Sequence, residues 1–273
     1  MRFDDPEALD CVAFCRTLFD DRGYVVGPGC GDGWESFCLA DRPREPFIAL
    51  KDNLALVNLA APWQPFVANY AINRVLRLQR DVVFFHASSV EIGGRGIMLV
   101  GPKGSGKTTT AMTLAARGGS LGGDEITPVR VQSGTLLPFR RAVSVKSGPS
   151  AERVRELLAR GRSWTETFPD GTIRTLALIR DLFPWSRHDA SRLRGVFFLE
   201  GFRATPHVRQ FAFGREQYPL LTPLAASMWG VRASARMLQI ARLLDGVPCF
   251  FLACGEPDAT ADLIERTVLE CTP

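Results

Sequence analysis

The chain has 273 residues, 46% of them apolar and 23% charged, enough to bury a large core as one large domain or as a small domain beside a larger one. A net charge of +4 with no aromatic-interleaved basic motif gives no case for a nucleic-acid partner, and no uncharged apolar stretch reaches the roughly 18 residues of a membrane span, so neither nucleic acid nor membrane is expected. Seven cysteines, odd in number and without a C-x-x-C pair, fit neither a disulfide framework nor a common zinc finger; with an acidic N-terminus leading into no apolar segment, they point to a reducing cytoplasm.

In chain order, Asp5-Pro6 supplies an N-cap and first turn for a helix over residues 5–19, and the glycine- and cysteine-rich stretch 23–33 interrupts regular structure. Strands are predicted at 47–50 and 54–59, flanking Lys51-Asp52-Asn53 as a hairpin, then a helix over 65–79. Residues 1–80 thus read as an accessory α+β region. The remainder, 81–273, opens with a strand-like run at 82–92, in which residues 89–92, the turn at 93–96 and residues 97–100 form a second hairpin. A glycine-rich loop and a helix from Lys107 to about Gly118 come next, followed by a short strand over 119–123 and a hairpin across Ser133-Gly134. Beyond these, a helix is expected at 150–160, strands at 173–179 and 196–199, a helical region from Thr222-Pro223 closed by Gly246, a buried strand at 247–253 and an amphipathic helix over 258–270. Arg153, Arg155, Arg160 and Arg162 cluster on and just after the helix at 150–160, and the default reading is a solvated face.

The chemistry is carried by Gly101-Pro102-Lys103-Gly104-Ser105-Gly106-Lys107-Thr108, an unbroken G-x-x-x-x-G-K-[ST] match that follows a strand-like run and opens a helix-like one. The glycines let backbone amides curl around phosphate, Lys107 bridges the outer phosphates, Thr108 offers its hydroxyl to magnesium, and Thr109 continues the first helical turn. A nucleotide triphosphate is therefore the expected ligand. Asp124 and Glu125 follow at the end of the next short strand, where one carboxylate can hold magnesium while the other accepts the proton of an attacking hydroxyl.

Taken together, His86-Ala87-Ser88-Ser89-Val90, the glycine turn, the phosphate loop, the helix ending Ala116-Arg117-Gly118 and Asp124-Glu125 resemble the core of the HPr serine kinase/phosphorylase superfamily. The resemblance is closest to the short HPr-kinase-like enzymes of peptide natural-product pathways of the lasso-peptide type. It implies a mixed, strand-rich α/β phosphate-loop core of the HPr kinase and phosphoenolpyruvate carboxykinase type. The implied activity is ATP-dependent phosphorylation, with Mg2+, of a serine hydroxyl on a peptide or protein acceptor. Carried over residue by residue, His86 matches the active-site histidine, Lys107 the phosphate lysine, Thr108 and Asp124 the magnesium oxygens, and Glu125 the acid/base carboxylate, usually an aspartate. Arg194 matches an active-site arginine, Lys146 is a further candidate, and the resemblance makes a homo-oligomer reasonable. A departure lies at 138–146, where Phe139, Arg140 and Arg141 stand in a segment that carries a metal-holding glutamate in the family. Left open are ATP against GTP and Asp124 against Glu125 as base. So are two other functions, a small-molecule alcohol kinase and a nucleotide-binding regulatory module without transfer.

Overall fold

A computed structural model describes residues 2–3, 36–37, 47–51, 54–58, 82–140, 142–146, 149–167, 171–186, 189–214, 219–220 and 233–270. The predicted helices at 5–19 and 65–79, the stretch 23–33 and the start of the helical region at 222–223 lie outside them. The chain divides into two compact units, Met1–Leu78 and Gln79–Pro273. In the first, β1 (Arg2–Phe3) pairs in parallel with β2 (Ser36–Phe37), and β3 (Phe47–Lys51) and β4 (Leu54–Asn58) form the antiparallel hairpin expected around residues 51–53.

The second unit is mixed α/β and rich in strands. Among the described residues its main sheet has nine strands: β5 (Val82–Phe85), β6 (Ala87–Ile92), β7 (Arg95–Val100), β8 (Ser120–Gly123), β9 (Thr127–Arg130), β10 (Thr135–Leu136), β14 (Ser191–Phe202), β15 (His207–Phe211) and β16 (Cys249–Cys254). A smaller sheet in the order β11 (Val143–Lys146), β13 (Ile173–Ala177), β12 (Ser163–Thr167) is antiparallel throughout. Among the described residues the helices are α1 (Lys107–Ala116), α2 (Pro149–Leu158), α3 (Ile179–Leu182), α4 (Ala233–Leu244) and α5 (Pro257–Glu270).

Because successive side chains of a strand point to opposite faces, a strand covered on both sides must be apolar at every position. β7 meets this requirement: Ile97 and Leu99 enter one core cluster with Met112, Leu114 and Ile264 of α1 and α5, while Met98 and Val100 enter another with Ile240, Leu243 and Leu244 of α4. β14 alternates likewise, Phe197 and Leu199 on the first side and Val196 and Phe198 on the second. Helices thus cover both faces of the central strands, and Val143, Val145 and Ala177 of the small sheet join the first cluster. Phe197 stacks on Phe250 of β16 at 4.9 Å, adding an aromatic pair to the same layer.

Two expectations change. The run 82–92 is not one strand, because the chain switches partners at His86: β5 pairs with β9, whereas β6 pairs with β7 and β8. The turn between β6 and β7 is the two residues Gly93-Gly94, both at positive φ, 56° and 79°, which matches the twist of a tight hairpin and is shorter than the expected turn at 93–96.

Candidate active site

The phosphate loop leaves the carboxyl end of β7 and enters α1. β14 runs parallel to β7, and β16 parallel to β14, so their carboxyl ends lie beside the loop. On the other flank β6 is antiparallel to β7 and β8 antiparallel to β6, which brings the start of β6 and the end of β8 to the same edge. In an open α/β sheet this edge is where ligands sit.

Within the loop a Cβ on Gly101 would lie 2.7 Å from Ser105 Oγ and 3.0 Å from the Leu199 carbonyl oxygen, so only glycine fits there. Gly106, at φ 98°, caps α1, and its carbonyl accepts from the Thr110 amide at 2.9 Å; the first-turn amides of the helix therefore face the loop without intrahelical partners. The Lys107 ammonium donates to the carbonyl oxygens of Gly101 at 2.8 Å and Pro102 at 3.0 Å, folding its side chain back over the loop. Burial pushes its pKa down, opposed by the charges of Asp124 and Glu125. Pro102, Lys103 and Gly104 stand exposed at the tip, Ser105 is buried with no hydrogen-bond partner for its hydroxyl, and the Thr109 carbonyl accepts from Thr113 Oγ1 at 2.9 Å.

Asp124 is buried at the end of β8. Its carboxylate accepts from Thr108 Oγ1 at 3.0 and 3.2 Å and from Ser88 Oγ at 2.5 Å. Burial pushes its pKa up, and the neighbouring Glu125 charge adds to that; the Ser88, Thr108 and Glu125 main-chain hydrogen bonds hold it back. Thr108 and Asp124 are hard oxygen donors placed together at the mouth of the loop. Among the described residues no three His, Cys, Asp or Glu side chains gather into a metal cage. This donor set fits Mg2+, which takes one or two protein oxygens and completes its octahedron with water and phosphate.

Glu125 takes the left-handed conformation, φ 65°, the single non-glycine residue to do so among those described. Its carboxylate reaches Arg174 Nη1 of β13 at 3.7 Å. Arg174 is the cross-strand partner of Lys146 and of Glu166, so the small sheet presents Lys146 and Arg174 on one face beside the acidic pair. His86 donates from Nδ1 to the Glu125 main-chain carbonyl at 3.1 Å. An oxygen that can only accept places the proton on Nδ1, so the imidazole holds the backbone of Glu125.

Arg194 is not gathered into this site. It is the extra residue of a β-bulge in β14, between the pairs Leu193–Gly96 and Gly195–Ile97. That register lies four residues before Gly101, about 13 Å along the strand at ~3.3 Å per residue. Beside Glu125 stands Arg174, a cation that no motif marked. Ser88 was also missed, although a hydroxyl pair, Ser88-Ser89, in an apolar strand was a signal that something had to satisfy it. Phe139 and Arg140, the departure noted in the sequence, are both buried: the Phe139 amide donates to the Gly122 carbonyl at 2.8 Å, and Arg140 Nη1 donates to the Ser186 carbonyl at 3.2 Å.

No family model matches the chain, and no curated protein matches it. Among solved structures, the HPr(Ser) kinase/phosphatase from Coxiella burnetii is similar at 15% sequence identity, with 68% of this chain and 88% of that chain covered and a TM-score of 0.35. No described helix is long and apolar enough to cross a membrane.

Proposed function

We propose that the protein is an ATP-dependent kinase that transfers the γ-phosphate to a hydroxyl, specifically a serine hydroxyl of a peptide or protein acceptor, as the short HPr-kinase-like enzymes of peptide natural-product pathways do. The observation that carries this reading is the connected set Lys107, Thr108, Asp124 and Glu125, in which a phosphate loop and two consecutive carboxylates meet at one sheet edge. A loop without a second, outward carboxylate would suffice for binding; the neighbouring pair gives a reason for transfer.

In this reading the loop amides and Lys107 hold the triphosphate, and Lys107 exchanges its two loop carbonyls for phosphate oxygens. Thr108 and Asp124 would hold Mg2+, which would supply positive charge against the outer phosphates. Glu125, kept in place through its backbone by His86, takes the proton of the acceptor hydroxyl as that oxygen attacks in line. Arg174 and Lys146, cross-strand partners on one face of the small sheet, would offset negative charge on the transferred group, and Arg174 also restrains the Glu125 carboxylate. The O–P bond to the acceptor forms as the β,γ-bridging bond breaks, giving ADP and a phosphate ester in equal amount without a covalent enzyme intermediate.

The test is incubation with Mg2+, labelled ATP and serine-containing peptides, above all a precursor peptide encoded beside this chain, with the phosphate located by mass spectrometry. Stoichiometric ADP and phosphoserine are expected. Tight nucleotide binding with no acceptor ever consumed would favour a regulatory module, and an acid-labile phosphohistidine would overturn hydroxyl transfer.

A further inference from the structure

The nucleotide reading leaves the base without a partner, and the structure offers one on the flank away from the carboxylates. Thr108 and Asp124 meet on the side of β6 and β8, and on the proposed reading they would hold the metal end of the triphosphate there. On that reading the nucleoside would leave the loop on the opposite side, over the carboxyl ends of β14 and β16. There stands Phe202, the last residue of β14, with 63% of its surface exposed. Its ring touches the phosphate loop: the Cβ position of Gly106 lies 3.2 and 3.4 Å from two ring carbons. Among the described residues the other exposed large apolar side chains, Ile173, Trp185, Leu220, Leu238 and Leu269, belong to other parts of the fold.

The backbone holds this ring out of the core. β14 and β16 pair in register up to Leu199–Leu252, then slip by one residue at Glu200 before Gly201–Ala253 and Phe202–Cys254. An inserted residue of this kind re-aims the side chains that follow. Gly201 adopts φ 124°, which only glycine takes without strain, and the Arg203 amide donates to the Cys254 carbonyl at 2.7 Å, pinning the strand just past the ring. A bulge, a glycine at positive φ and a main-chain bond together fix an aromatic face in solvent, where burial alone would have turned it inward.

We propose that Phe202 is the stacking platform for the nucleobase. The inference rests on the phosphate-loop reading and adds the subsite that this reading lacks. A π-face accepts any base and stacks purines over the largest area, so Phe202 supplies affinity for the nucleoside half of the ligand while the loop supplies it for the phosphates.

The test separates the two halves with two probes, Mg2+-ATP and Mg2+-tripolyphosphate, titrated calorimetrically into the full-length protein and its Phe202→Ala and Phe202→Leu variants. Leucine keeps an apolar contact on Gly106 and removes the ring. Both variants are expected to weaken ATP by about 5- to 150-fold and leave tripolyphosphate unchanged. Phe202→Trp is expected to retain ATP affinity and to add a fluorescence change with ATP, absent with tripolyphosphate. ATP affinity unaltered in Phe202→Ala and Phe202→Leu, or both probes weakened equally, would overturn the proposal. Wild-type protein that binds neither probe would overturn the phosphate-loop reading and this inference with it, and wild-type protein that binds both equally well would overturn the inference alone.

Discussion

Replacing Glu125 separates catalysis from stability more sharply than any other change in this site. Glu125→Gln keeps the size of the side chain and removes the proton acceptor. General-base catalysis contributes two to four powers of ten, so kcat should fall by that factor, about 2.7–5.4 kcal/mol of transition-state stabilisation, with nucleotide affinity nearly kept. The folded state should scarcely notice: the carboxylate is 37% exposed and its contact to Arg174 is a loose 3.7 Å, an ion pair in the ~0–1 kcal/mol class. Glu125→Gly goes further. The residue sits at φ 65°, a conformation that costs a non-glycine residue roughly 1–2 kcal/mol, whereas glycine occupies it freely and gives back roughly 0.5–1 kcal/mol through its looser unfolded chain. With loss of the ion pair the net change is near zero, so Tm should stay within about 3 °C of wild type while turnover is lost. The assay pairs single-turnover phosphate transfer with thermal unfolding. Wild-type kcat in Glu125→Gln would refute the base assignment and move it to Asp124 or His86, and a Glu125→Gly protein that unfolds far earlier would refute the strain argument.

Lys107→Ala should abolish turnover and weaken nucleotide binding, because no neighbour can replace its point charge at the outer phosphates; full activity in that variant would sink the loop assignment. Asp124, whose pKa burial raises above its ordinary 3.8, binds a proton in the folded protein that the unfolded chain has already lost at the same pH, so its contribution to stability declines as pH rises through the raised value. Magnesium nucleotide favours the carboxylate, so binding should strengthen over that pH interval and release protons. Calorimetry in buffers of different ionisation enthalpy should detect the release in wild type, and equal release in Asp124→Asn would assign it elsewhere. Burial pushes Cys249 up to about 12 and Cys254 upward as well, so both thiols should resist maleimide at neutral pH in the folded protein, as read by peptide mapping.

The parts of the fold most legible in the sequence are those the core demands. Ile97-Met98-Leu99-Val100 and Phe250-Phe251-Leu252-Ala253 are unbroken apolar runs because helices cover both sides of their sheet, and such runs leave little choice of element. The hairpins at Gly93-Gly94 and Ser133-Gly134 were marked by their turn residues. β12 and β15 went unseen: Ser163–Thr167 and His207–Phe211 have no fully buried position, so neither has the apolar pattern that a core imposes. β14 was read as four residues, although it runs over twelve, because its polar ends, including Arg192, Arg194 and Glu200, are held by partners and not by burial.

At the site, what adjoins in sequence was legible and what adjoins only in space was not. The loop and the acidic pair declare themselves by spacing, whereas Ser88 reaches Asp124 across two strands and Arg174 arrives on a separate sheet. The division of labour within the acidic pair is likewise a property of the backbone. A Cβ on Gly122 would stand 2.8 Å from Ser89 Oγ, and one on Gly123 2.8 Å from the Phe139 carbonyl oxygen, so two glycines let β8 run closely between β6 and the Phe139 segment. Asp124, the next residue, is thereby carried into the buried ring of Ser88 and Thr108 hydroxyls. The chain must then reverse into β9, and Glu125 supplies the left-handed turn that does so. Two neighbouring carboxylates of almost equal chemistry consequently part company, one buried against the Ser88 and Thr108 hydroxyls, the other partly exposed and turned to Arg174 of the small sheet. On the kinase reading proposed above, that separation would let the first hold metal while the second stays available to a proton.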